Sequence, residues 1–183
     1  MNFKKLVQIV NYVLQKYDYK LNYTKLIKLL YIADRESLSR WNFAISGDTY
    51  CSMPHGPVLS CLYNCIKGEA PLEEQSQWDN FFYKEKYDLL SRFKKDFSYG
   101  EMSDAEKMIL NEIDKKYHNV SYEKLIDVAH EFQEWDSDAK ERNTSFPLDK
   151  RTILKALGRS DDETREILET DRMIEECEQK LKE

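Results

Sequence analysis

The stretch Leu26-Ile27-Lys28-Leu29-Leu30-Tyr31-Ile32-Ala33 leaves almost no side of a helix polar. A surface helix carries an apolar stripe on one side only, so a helix of this kind has to be covered on most sides by other elements. The chain is therefore expected to build a bundle around it. Asn22 stands where a side-chain oxygen can accept first-turn N–H groups that lack an intrahelical partner. The helix is expected to end near Trp41. With 183 residues, 41% of them apolar, the chain is long enough to bury one real core as one domain with an appended helix.

The residues after this helix change pattern. Phe43 and Ile45, then Ser46-Gly47-Asp48, then Thr49-Tyr50-Cys51-Ser52 predict two short strands about a turn in which Gly47 takes a positive φ. Met53-Pro54-His55-Gly56-Pro57-Val58 must then redirect the chain, with Pro57 expected at the first position of a new helix, where a missing N–H costs nothing. That helix carries Leu59, Leu62, Tyr63 and Ile66 on one face and stops at Gly68.

Upstream, Phe3, Leu6, Val7, Val10, Val13, Leu14 and Tyr17 keep helical spacing and predict an amphipathic helix packed on the central one. Between Gly68 and Glu101 the signals are weaker: Trp78, Phe81, Phe82 and Tyr83 form an aromatic cluster, and Tyr87–Leu90 reads as a short strand. Aromatic residues near Lys84, Lys86, Arg92, Lys94 and Lys95 are compatible with stacking on a single strand of nucleic acid, but acidic neighbours dilute the patch. Core anchors with a solvated face are the better reading. Ser103-Asp104-Ala105-Glu106 is a capping box for a helix bearing Met108, Ile109, Ile113 and Tyr117. Asn119 or Ser121 opens the next, with Leu125, Ile126, Val128, Ala129 and Phe132, and His130 in it reads as a packing residue.

Residues 143–147 are expected to be a loop, with Asp149 capping a short helix to Gly158. A second capping box, Ser160-Asp161-Asp162-Glu163, opens the last helix. In it Ile167, Ile174 and Leu181 recur every seven residues, a stripe suited either to docking on the domain or to capturing a partner.

The chemistry the sequence offers is narrow. The start of the chain is too polar for a signal peptide and no span approaches a transmembrane length, so a cytoplasmic protein is expected. Cys51, Cys61, Cys65 and Cys177 follow no disulfide framework, and Cys51, His55, Cys61 and Cys65 lack the paired knuckle spacing of structural zinc sites. Reduced core thiols are expected, with no metal and no cofactor. A net charge of −6 argues against sequence-independent nucleic-acid binding and is compatible with a basic protein partner. No phosphate loop, nucleophile elbow or metalloprotease motif is present. Asp34, Asp48 and His55 would serve a small hydrolase-like enzyme if the fold converged them, whereas Asp34 and Glu36 read more simply as helix-surface charge and Asp48 as turn chemistry.

Lys25-Leu26, Lys28-Leu29-Leu30-Tyr31, Ala33, Ile45, Gly47-Asp48, Tyr50, Met53, His55-Gly56-Pro57-Val58 and Tyr63 resemble, in order and spacing, the Panacea domain of the SocA/GepA-like antitoxin family. Ser103, Ser121-Tyr122-Glu123-Lys124-Leu125, His130 and Trp135 are similar to its second half, so the resemblance spans roughly residues 1–157, leaving 158–183 as an appended amphipathic helix. It implies a mainly α protein with a small β-hairpin or short sheet (α+β), a single-domain bundle around a buried central helix. It implies a non-catalytic antitoxin that binds a cognate protein toxin, or delivers it to a ClpXP-type protease, with no membrane or nucleic-acid partner. Lys25, Leu29, Leu30, Tyr31, Gly47, Asp48, Gly56 and Pro57 are then the structural motif. Tyr50, Met53 and His55, held rigid by Pro54 and Pro57, together with Ile167, Ile174 and Leu181, are the residues expected to meet the toxin.

Overall fold

Every residue from Lys25 to Asp34 is buried, polar ones included. The computed structural model describes residues 2–94 and 97–180. In chain order they form α1 (Phe3–Gln15), β1 (Lys20–Asn22), α2 (Tyr23–Trp41), β2 (Tyr50–Ser52), β3 (Val58–Leu59), α3 (Ser60–Lys67) and α4 (Leu72–Phe81). There follow β4 (Phe82–Glu85), β5 (Asp88–Ser91), α5 (Asp104–Tyr117), α6 (Tyr122–His130), α7 (Asp138–Glu141), β6 (Phe146–Leu148), α8 (Lys150–Ala156) and α9 (Asp161–Lys180). The protein is an α+β fold in which helices dominate and two antiparallel sheets of three strands, ordered β1-β5-β4 and β3-β2-β6, fill the gaps between them.

α2 is the hub. It packs against α3, α5, α6 and α8 and touches β1 and β3, while α1 covers α4 and the first sheet. Asn22 caps α2 by accepting the Thr24 and Lys25 N–H groups at 3.0 and 3.2 Å. Asn42, in the left-handed region at φ +63°, ends it one residue after Trp41. The other expected caps form as well. Ser103 and Glu106 close the capping box of α5, Ser121 caps α6, Asp149 caps α8, and Ser160 with Glu163 opens α9. Each such cap satisfies N–H groups that would otherwise lack a partner and stabilises its helix by about 1 kcal/mol.

Four expectations are corrected. No hairpin turns at Gly47: residues 42–49 are irregular, and β2 pairs instead with β3, Tyr50 opposite Leu59, across the turn at 53–57. Pro57 consequently precedes a strand, and α3 begins only at Ser60. Residues 143–147 are not all loop, because Phe146–Leu148 adds a third strand, with Tyr50 opposite Leu148. Strand pairing across nearly a hundred residues leaves no local periodicity to read. Asp34 is not surface charge: it is 1% exposed, because the chain after α2 folds back over it, whereas Glu36 does sit outside and pairs with Arg40.

The weakly patterned middle also contains α4, whose Trp78 is buried against Phe82 of β4 with ring centroids 4.4 Å apart. Those two aromatics are core anchors. The four cysteines are free thiols, Cys65 buried and Cys177 exposed.

Gly56 has φ +91°, and a Cβ there would stand 2.9 Å from the Ala129 Cβ and 3.1 Å from the Lys28 Nζ. Gly68, at φ +77°, has open space around it. Gly68→Ala is therefore expected to lose only the left-handed backbone penalty, about 1 kcal/mol, and Gly56→Ala at least about 2 kcal/mol more. Urea unfolding of both variants measures the difference, and equal losses would show that crowding at Gly56 is relieved.

Candidate functional site

The irregular segment after α2 is organised by three polar side chains. Ser46 donates its backbone N–H to Asp34 Oδ1 at 2.9 Å and its hydroxyl to Asp34 Oδ2, while its Oγ accepts the Asp48 N–H at 3.0 Å. The Tyr50 hydroxyl adds a donor to Asp34 Oδ2 at 3.2 Å. Asp48 in turn accepts from the backbone N–H of Thr49 at 2.7 Å and of Cys61 and Leu62 at 3.0 Å. The residue at the N-cap of α3 is Leu59, which has no acceptor to offer. Asp48 therefore caps α3 from across the sheet, and Gly47 at φ +62° lets the chain turn between the two anchors. Burial raises the Asp34 carboxyl to about 6 despite the three donors, and burial raises Asp48 as well.

A second polar set holds the β2–β3 turn. Three of its carbonyls point away from the sheet and each receives a side-chain donor: Trp135 Nε1 to Met53 at 3.0 Å, His130 Nε2 to Pro54 at 3.2 Å, and Lys28 Nζ to Pro57 at 2.9 Å. The His130 and Trp135 rings stack with centroids 3.9 Å apart, so His130 is a packing residue. Lys28 is 2% exposed, and burial pulls its ammonium down to about 7. Nearby, the buried Glu134 accepts from the Tyr31 hydroxyl at 3.0 Å and from Arg35 Nε at 2.7 Å. Sequence reasoning gave no role to Lys28, Ser46 or Glu134. Lys28 alone left a signal, being a charge within an otherwise apolar helix.

An open cleft of about 760 Å³ lies in front of the Asp48 knot. Its walls are Asn2 and Lys5 at the start of α1, residues 43–50, Glu101, Leu148 to Lys150, and Asp171 and Ile174 of α9. Its lining is mixed: Phe43, Ala44, Ile45, Tyr50, Leu148 and Ile174 stand in it beside Lys5, Asp48, Glu101, Asp149, Lys150 and Asp171.

The structure thus brings Tyr50 and Ile174 to one cleft, although Tyr50 is itself buried and offers little more than a wall. Met53 is half-buried and His55 exposed, both on the turn and outside the cleft lining. Ile167 packs against the core, and Leu181 lies outside the described residues. Of the motif residues, Leu29, Leu30 and Tyr31 are core, Lys25 donates Nζ to the His118 carbonyl, and Gly56 and Pro57 form the clamped turn. Asp34 and Asp48 meet through Ser46 but His55 stays apart, and both carboxylates are occupied with structural donors. Among the described residues no three His, Cys, Asp or Glu side chains converge as a metal site. No helix among them is long and apolar enough to cross a membrane.

The family model for the antitoxin SocA-like, Panacea domain matches residues 26–136, from the first turns of α2 to just beyond α6. The chain belongs to that family. No curated protein and no solved structure gave a match.

The raised Asp34 carboxyl sets a pH dependence. Between the ordinary value of 3.8 and about 6 the folded state holds a proton that the unfolded chain releases, so stability falls as pH rises through that window. The expected loss from pH 4 to pH 6 is on the order of 2–3 kcal/mol. Asp34→Asn is expected to flatten it in urea midpoints measured across that range, and an unchanged slope would assign the loss to other groups.

Proposed function

We propose that this member of the antitoxin SocA-like, Panacea domain family neutralises a cognate protein toxin by binding it directly. The observation that carries the reading is the match over residues 26–136, which takes in α2, the Asp48 knot and the clamped turn as one unit. The polar networks in that unit bond to backbone, which suits a rigid display of surface rather than chemistry on a small molecule. The surface that suits this role is the mixed polar and apolar cleft with Tyr50 and Ile174 in its walls, together with the turn that carries Met53 and His55. A depression that offers apolar contact among charged groups lets a few well-packed side chains of a partner contribute most of the binding.

The test is to express the product of the adjacent reading frame alone and together with this protein. Growth arrest alone and recovery on co-expression are expected. A neighbour that is harmless alone, or equally toxic in both cases, would remove the pair from consideration.

A further inference from the structure

The net charge of −6 is not spread over the molecule. Residues 1–160 hold 24 Lys or Arg against 24 Asp or Glu, and residues 161–183 hold ten acids against four bases, so the entire excess sits in and just after α9. The first half of that helix is fastened down. Thr164 is buried, Ile167 and Leu168 pack against the core, and Lys150 pairs with Asp171. Beyond Asp171 every side chain described as far as Lys180 is exposed, including Met173 at 54% and Ile174 at 53%. At about 1.5 Å per residue this is roughly 14 Å of helix with its apolar side open.

The charge pattern says what could cover that side. Glu163, Glu166 and Glu169 recur at three-residue spacing and repel one another along one face. A second copy of this chain brings an equally acidic α9 and a body with no net positive charge, so it offers nothing to relieve that repulsion. A surface rich in Lys and Arg would relieve the repulsion while taking up Met173 and Ile174.

We infer that the exposed face of α9 docks on a basic partner protein, its Met173 and Ile174 side chains entering an apolar groove with a rim of Lys and Arg. The inference rests on the antitoxin reading and deepens it: the partner is the toxin, and the toxin face that meets α9 is positively charged. Attraction of this kind steers encounter and weakens as salt screens it.

The experiment measures binding of the full chain to the purified product of the adjacent reading frame, at low salt and at about 0.3 M salt. Two variants are compared with it, the triple Glu166→Lys, Glu169→Lys, Glu176→Lys and the single Ile174→Ser, each checked for an unchanged melting midpoint. The expected result is a roughly tenfold weaker affinity at the higher salt, a further loss of about tenfold or more in the triple variant, and about fivefold in Ile174→Ser. If the native chain rescues growth and both variants bind within about twofold of it, the docking role of α9 is overturned while the antitoxin reading stands. If the native chain neither rescues nor binds, both fall together. If sedimentation shows a dimer that the variants dissolve, the occupant is a second copy and the inference is overturned.

Discussion

The constraint on which the rest of the structure depends is that the Lys25–Asp34 stretch of α2 is buried on all sides while carrying ionisable groups inward. An unpaired buried charge or hydrogen-bonding group costs several kcal/mol, so each has to find a partner. Lys28 finds the Pro57 carbonyl, and Asp34 finds Ser46 and Tyr50. Pro57 and Ser46 lie in the two segments that have no regular structure of their own, and Tyr50 opens β2. Burial of α2 therefore orders the loops, and the loops form the surface facing the cleft and the turn.

Much of the helical framework was legible beforehand because its signals are local. The capping residues Asn22, Ser103, Ser121, Asp149 and Ser160 are all where their helices start, and Gly68 ends α3 in the left-handed region. The apolar run of α2 correctly implied a central helix. The strands were read less well. The pattern around Gly47 resembled a hairpin turn, but its glycine serves to join Asp34 to Asp48, and the partners of β2 are β3, across the following turn, and the distant β6. Asp48 looked like a turn residue and is a cap for a helix that begins a dozen residues later, a role no spacing rule contains. Of the residues expected to meet a partner, Tyr50 stands in the cleft wall, yet its hydroxyl draws it into the core beside Asp34.

Neutralisation by direct binding, as proposed, places its demand on shape and on constancy of shape. A turn whose carbonyls are taken by Trp135, His130 and Lys28 has little freedom to adjust, and a partner that fits it loses little entropy in ordering it. The polar knots that look like candidates for catalysis are the means by which the loops stay in place. In the proposed docking the neutral body supplies fit and the acidic terminal helix supplies attraction.

The third strand of the second sheet has a consequence for where this folding unit ends. Phe146–Leu148 lies beyond the family-matched residues 26–136, yet it completes the hydrogen bonding of Tyr50–Ser52 and closes one side of the cleft. A fragment trimmed to the matched boundaries would leave β2 as a bare edge carrying Tyr50, an invitation to pair with another molecule's strand. The family-matched residues and the stretch that completes the second sheet are thus different lengths, and the difference is set by one short ribbon of backbone.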